Sequence, residues 1–278
     1  MMQRRGAGRR AGALAACAAL LVMTACSRPN SPDAVRWELV WADEFDGPAG
    51  QPPDPAKWGY DIGTDWGNAQ LEYDTARPEN VSLDGNGHLA ITAIEESYQN
   101  SAYTSGRINT NGRFAQQDGR FEARIHLPAG RGIWPAFWLL GANFQSVGWP
   151  ACGEIDILEY RGQEPGVLHG SLHGPGYSGG SAVTSSYTLP NGARFDQGFH
   201  LFAVEWNGDQ ITWILDETRY LTVRRSDLPP GGAWVFDHPF FIILNVAVGG
   251  HFVGPPDAST VFPQTMRVDW VRVYRRSG

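Results

Sequence analysis

The sequence predicts an all-β fold, an antiparallel sandwich or jelly roll, with one domain taking up most of the chain. Three observations carry this. Short apolar runs recur with clusters of Gly, Pro, Asn and Asp between them, the pattern of many strands joined by tight turns. Phe121, Ala123, Ile125 and Leu127 alternate with Arg120, Glu122, Arg124 and His126, the period of two of a half-exposed strand. No long stretch has helical periodicity with a pair of caps. The 278 residues, with 34 glycines and 19 prolines, fit a turn-rich globular chain without an internal repeat or a second domain.

The first segment stands apart. Residues 1–12 carry Arg4, Arg5, Arg9 and Arg10 and no acid, and residues 13–25 (ALAACAALLVMTA) are apolar. That stretch is too short and too early for an ordinary spanning helix, so 1–25 is expected to be a targeting segment outside the fold. The run Val22-Met23-Thr24-Ala25-Cys26 resembles a bacterial lipobox, with Met23 where leucine is commoner. The resemblance implies that Cys26 is lipidated and becomes the mature N-terminus, the only contact with a membrane. Plain secretion with cleavage near Ala25 is the alternative; the twin arginines lack the rest of a Tat pattern. Either way export is expected, to a bacterial membrane surface, the periplasm or the exterior.

Residues 26–36 are polar with two prolines and read as a tether, and the domain is expected over 37–276. Its apolar runs include HLAITAI (88–94), GVLHGSLH (166–173), LFAVEW (201–206), ITWIL (211–215), FFIILNVAV (240–248) and DWVRVY (269–274). The Gly/Ser-rich stretch 174–198 is expected to be a surface loop over one face. With Cys17 in the leader and Cys26 lipidated, Cys152 has no partner. The domain is therefore expected to hold no disulfide, and Cys152 to be inert packing rather than a reactive thiol.

Charge and aromatics narrow the function. The formal charge is -7, and without the leader's four arginines 18 basic side chains face 29 acids. So acidic a domain is a poor partner for nucleic acid and is compatible with a neutral polymer. All 11 tryptophans lie beyond residue 36, which suits a large core together with a groove whose ring faces stack on sugars.

The chemistry is carried by Gly153-Glu154-Ile155-Asp156-Ile157-Leu158-Glu159. On a strand, Glu154 and Asp156 share a face and Ile155 and Ile157 point to the core. Glu159 has the wrong parity, and a bulge of one extra residue at Ile157-Leu158 returns it to the face of the other acids. Three acids crowded on one face raise at least one pKa. One carboxylate can then stay ionised as a nucleophile while another keeps its proton as a general acid. Carboxyls about 5 Å apart imply a retaining glycosidase. A solvated or calcium-binding acidic strand is the other reading of the triplet.

GEIDILE resembles the bulged signature of glycoside hydrolase family 16. GRFEARIHLPAGRGIWPAFWLLG (119–141), HLFAVEW (200–206), ILNVAVGG (243–250) and FPQTMRVDWVRVY (262–274) extend the resemblance over nearly the whole domain, most closely to the laminarinase-like branch. It implies a concanavalin-like β-jelly roll of two curved antiparallel sheets with a glycan cleft on the concave face. It implies Glu154 as nucleophile, Glu159 as general acid/base and Asp156 between them, hydrogen-bonded to the nucleophile. The implied substrate is β-glucan with 1,3 linkages, or mixed 1,3;1,4 linkages, cut internally by a monomer that needs no cofactor for catalysis.

Further site residues follow from the same likeness. Trp134 and Trp138 share a strand face and are expected to line the cleft. His173 in GSLHG matches a histidine close to the acid/base, and Arg107 in TSGRI an arginine of the subsite region. Asn68 is carried over from NAQLEY, where Ala69, Gln70 and Glu72 depart from the usual residues. Trp206 and Asn245 are either cleft or structural residues. A structural calcium is implied at the side chain of Asp269 with backbone oxygens near Glu44 and Gly87, a donor set compatible with a hard cation. The alternatives are a galactan hydrolase or transglycosylase of the same fold, or a non-catalytic glucan-binding lectin. The intact acid triplet favours an enzyme.

Overall fold

The computed structural model describes residues 35–277. The leader, Cys26 and the tether before residue 35 lie outside the described residues. The strands are, in chain order, β1 (Arg36–Asp43), β2 (Gly59–Tyr60), β3 (Glu72–Asp74), β4 (Val81–Leu83), β5 (Leu89–Tyr98) and β6 (Ser101–Ser105). Then come β7 (Arg107–Asn109), β8 (Gly119–His126), β9 (Ile133–Gly141), β10 (Glu154–Tyr160), β11 (Val167–His173) and β12 (Val183–Thr188). The last are β13 (Phe199–Asn207), β14 (Gln210–Leu215), β15 (Thr218–Arg224), β16 (Phe240–Val248) and β17 (Gln264–Ser277). One short helix, α1 (Phe144–Val147), stands between β9 and β10.

Two sheets form a sandwich. One runs β15-β14-β13-β8-β17-β5-β6-β3, with β1 also on β17 and β4 also on β5. The other runs β12-β11-β10-β9-β16-β7-β2 and carries the site. Pairing is antiparallel apart from β3 and β6, which run parallel.

Side-chain parity explains the layers. On β8, Phe121, Ala123 and Ile125 are fully buried in the core, as their alternation predicts. The opposite face of β8 is tied by ions, with Arg120 donating to Glu122 and Glu205. Strand β16 shows no alternation, because all nine of its residues are buried. Phe240, Ile242, Leu244, Val246 and Val248 join the inter-sheet core, while Phe241, Ile243 and Ala247 belong to apolar clusters on the other face. A continuous apolar run is what a strand covered on both sides requires.

One expectation is corrected. Residues 174–198 are not simply a loop, since Val183–Thr188 pairs along β11 as the edge strand of the site-bearing sheet. Its residues alternate between half-buried and exposed. Four of the six are Thr or Ser, so only Val183 and Tyr187 mark the half-buried face and the period is weak.

Candidate active site

Strand β10 holds the three acids, and its register contains the bulge. Against β9, Asp156 faces Trp138 and Leu158 faces Phe137, so Ile157 is the unpaired extra residue. Against β11, Asp156 faces Ser171 and Glu159 faces His169, again one residue too many on β10. Ile155, Ile157 and Leu158 are buried in the core. Both bulge residues thus turn inward, and Glu159 rejoins Glu154 and Asp156 on the other face. At the bulge, the Trp213 indole N–H of β14 donates to the Asp156 carbonyl at 2.7 Å, reaching across from the opposite sheet.

The three carboxyls converge with His173. His173 Nε2 lies 3.0 Å from Asp156 Oδ2 and 3.6 Å from Glu154 Oε1. His173 therefore stands beside the first two acids and is near enough to Glu159 to favour its ionised form. Its Nδ1 accepts the Gly179 N–H at 3.0 Å, which places the ring proton on Nε2. A protonated Nε2 faces the carboxylates without a well-aligned hydrogen bond, since Asp156 Oδ2 has no partner, and it offers no lone pair to a metal, which argues against a cation site in this cluster. Glu159 Oε2 accepts from Ser171 Oγ at 3.3 Å.

Burial sets the electrostatics. It is the largest cause lifting the pKa of all three acids. Glu154 rises to about 8, pushed further by Asp156 and held back by His173 and the Trp149 N–H. Asp156 is lifted well above its ordinary value, with Glu159 adding to the effect and a hydrogen bond from Glu154 opposing it. Glu159 is raised too, against the pull of His173, Ser171, Trp134 and Arg161. The cluster cannot hold three negative charges at neutral pH, so it keeps protons that chemistry can use. Cys152 lies behind it, fully buried, its thiol pushed up to about 11 by burial, as suits inert packing.

Tryptophans make the floor. Trp138, opposite Asp156, is half-buried and donates its N–H to Asn245 Oδ1 at 2.8 Å. Trp134 is only 8% exposed and lies beside Phe252, ring centroids 5.0 Å apart. Its N–H has no well-aligned partner but is near enough to Glu159 to favour the ionised carboxylate. Asn245 is thus the support of Trp138, whereas Trp206 is a core residue packed on Phe240.

Arg107 is more than a surface ion pair. Its guanidinium lies 4.9 Å from both the Trp66 and Trp138 rings, and Nε donates to Asp61 at 2.9 Å. Asn68 is exposed and in the left-handed region, and its backbone carbonyl accepts the His251 N–H, tying the loop before β3 to the loop after β16. Gly250 in that second loop packs near Trp134, which puts Asn68 at the rim. The nearby departures from the family pattern have a structural reason. Glu72 is 1% exposed and accepts the Val248 N–H at 2.7 Å, so it supports β16 and cannot touch a sugar.

Glu72 and Asp74 form a second buried acid pair, with the Trp66 N–H on Asp74. Burial lifts Glu72 to about 7, and burial plus Glu72 lifts Asp74 well above its usual value. A folded pKa above the unfolded one means stability is full at low pH and is lost as pH climbs through the folded value. For Glu72 the window is 4.5 to about 7, a loss on the order of 3 kcal/mol. Glu72→Gln keeps an acceptor for Val248. It is expected to melt higher than wild type at pH 8 and equal to it at pH 4. Equal melting at both pH values would disprove this.

The expected calcium ligands come to one end of three strands, since Asp43 faces Val271 and Leu89 faces Val268. The Asp269 carboxylate, however, already pairs with Arg124, and that of Glu44 with Arg272. As folded, the site is neutralised by arginine.

Sequence reasoning passed over Trp149, Trp66, Ser171 and Trp213. Trp149 donates its N–H to Glu154 Oε2 at 3.0 Å. It precedes the GEIDILE segment in a loop, where no periodicity marks a residue.

The geometry of this site is matched by what the chain is similar to. The model of glycosyl hydrolases family 16 matches residues 65–272. The chain is a family 16 glycosyl hydrolase. The β-glucanase of Rhodothermus marinus is 43% identical over 270 residues, covering 92% of each chain. The structure of the endo-β-1,3-glucanase from Pyrococcus furiosus is 45% identical with a TM-score of 0.83, covering 88% of this chain and 97% of that one. The laminarinase catalytic domain of Thermotoga maritima is also 45% identical, with a TM-score of 0.82 over 87% of this chain and 99% of that one. The two curved sheets of this family 16 glycosyl hydrolase are thus the concanavalin-like jelly roll of its relatives.

Proposed function

We infer that this family 16 glycosyl hydrolase is a retaining endo-β-glucanase that cuts 1,3 linkages, with mixed 1,3;1,4-glucan as a second substrate. The observation that carries the reading is the bulge on β10, which gathers the buried Asp156 and the half-buried Glu154 and Glu159 on one face beside Trp134 and Trp138. Glucanases similar at 43–45% identity support the substrate class.

The chemistry is double displacement. Glu154 attacks the anomeric carbon while Glu159 gives its proton to the departing glycosidic oxygen, leaving a glycosyl ester on Glu154. Glu159, now a carboxylate, takes a proton from water as that water attacks the ester, and both residues return to their first state. Asp156 stands beside Glu154 on the same strand face, so the two carboxyls, which could not both be ionised, share one proton between them in the resting enzyme. The positive charge that develops on the sugar then favours the ionised nucleophile. No cofactor enters any of these steps. Trp138, Arg107 and Asn68 are read as sugar contacts along the cleft, with Trp134 flanking the acid/base.

The test is product analysis. Laminarin should yield short oligosaccharides of retained β configuration, lichenan fewer, and agarose and carrageenan none. Binding of laminarin without release of reducing sugar would overturn the reading in favour of a lectin.

We further propose export through the 1–25 leader, a lipid on Cys26 and a monomeric catalytic domain over 37–276. Mass spectrometry of the mature N-terminus and its sedimentation test these. A structural calcium at Asp269, with backbone oxygens near Glu44 and Gly87, requires Arg124 to leave the carboxylate. A melting temperature that does not change between calcium and chelator would exclude it.

A further inference from the structure

The loop between β9 and β10 supplies a residue that the acid triplet alone does not account for. Gly148 and Gly153 bracket it, both at positive φ (71° and 73°), a region that side chains with a Cβ rarely enter. The loop is closed by its own backbone. Gly148 N–H bonds the Phe144 carbonyl, Cys152 N–H the Gly148 carbonyl and Gly153 N–H the Pro150 carbonyl. Trp149 is therefore held on a short, cross-braced turn immediately before β10.

Two observations meet at this side chain. The first is the 3.0 Å hydrogen bond from its indole N–H to Glu154 Oε2. Indole N–H is a donor only, so this contact favours the carboxylate over the acid. The bond takes up Oε2, while Oε1 is the oxygen nearest His173. The second is exposure. Trp149 is 45% exposed, though its ring lies 5.9 Å from that of His173 on the cleft side. Phe144 and Val147, from the same loop, are 40% and 49% exposed. Three large apolar side chains are thus left uncovered on this one loop, and the exposed ring of Trp149, beside His173, is suited to the C–H face of a sugar ring. Of these Trp149 itself touches the reacting carboxylate, so the glucan is the occupant at hand.

We propose that Trp149 is a positioning residue for the nucleophile: its N–H fixes one oxygen of Glu154 and its exposed ring carries a glucose unit beside it. The inference rests on the glucanase reading given above. Two variants separate the two roles. Trp149→Phe keeps a ring and removes the donor. It should lower kcat about ten- to a hundredfold, as loss of a hydrogen bond to a charged group does, with KM within about twofold. Because the lost donor favoured the ionised carboxylate, the rising acid limb of kcat/KM should move to higher pH. Trp149→Ala should match that fall in kcat and also raise KM for laminarin. Carbon-13 titration of the Glu154 carboxyl gives the same information without turnover, and its midpoint should move up in Trp149→Phe. An unchanged midpoint and an unchanged acid limb would overturn the positioning role. Equal KM values in the Phe and Ala variants would overturn the platform. A wild type that releases no sugar from any β-glucan would sink the glucanase reading instead, while the titration still decides the role of Trp149.

Discussion

Glu154→Gln and Glu159→Gln are each expected to abolish hydrolysis of laminarin, for different reasons that kinetics can separate. Without the Glu154 carboxylate no glycosyl ester forms, and turnover falls to background. Without the Glu159 proton the leaving oxygen departs unassisted, at a cost of about 10²- to 10⁴-fold. An aryl glucoside with a good leaving group should therefore recover the first step in the Glu159 variant and not in the Glu154 variant. Azide should rescue Glu154→Ala by forming an α-glycosyl azide; a β product would reverse the two roles. Neither variant should unfold. All three acids have folded pKa values raised by burial, so their ionised forms oppose folding as pH rises above the unfolded value. An amide in place of one of them should leave the melting temperature at neutral pH equal to or above that of wild type. A Glu154→Gln protein with wild-type kcat would end the assignment.

Shortening β10 gives the second large effect, and its direction depends on the number of residues removed. Deletion of Ile157 leaves Asp156, Leu158 and Glu159 facing Trp138, Phe137 and Ala136 in unbroken order. Glu159 then stays on the face of Glu154 as part of a regular strand. The deleted side chain is a core residue only 1% exposed, so the cost should be about 2–5 kcal/mol of stability. Much of the activity should survive. Deletion of Ile157 and Leu158 together reverses the parity, turns Glu159 toward the core and should remove all activity. Rates on laminarin and melting curves of the two proteins check this. Loss of activity in both, with Ile157-deleted protein still folded, would show that the bulge does more than restore parity.

The sandwich was legible because its main strands obey simple periods. Phe121, Ala123 and Ile125 alternate, and the β16 run is apolar but for Asn245 because it has two covered faces. The bulge was legible from parity alone, since Glu159 could not otherwise join its partners. What escaped was written in contrasts that hydropathy lacks. Val183–Thr188 has only Val183 and Tyr187 to mark its half-buried face. Glu72 and Asp74 are buried on β3, whose parallel partner β6 nothing local announces. Arg107 was placed near the cleft, but its position between Trp66 and Trp138 joins residues distant in sequence. The histidine was legible, but that it faces Glu154 directly follows from the register of β10 on β11, which joins residues distant in sequence.

The hydrogen bond from Trp213 to the Asp156 carbonyl ties the catalytic strand, at its one irregular point, to the far layer of the sandwich. Glycosidase sites built on loops can loosen while the body of the protein stays intact. Here the kink that aligns the acids is clamped from β14, in the middle of the hydrophobic interior. Amide hydrogens at Ile157 and Glu159 should therefore exchange only when the whole molecule opens, and heat should extinguish activity and native fluorescence along a single curve.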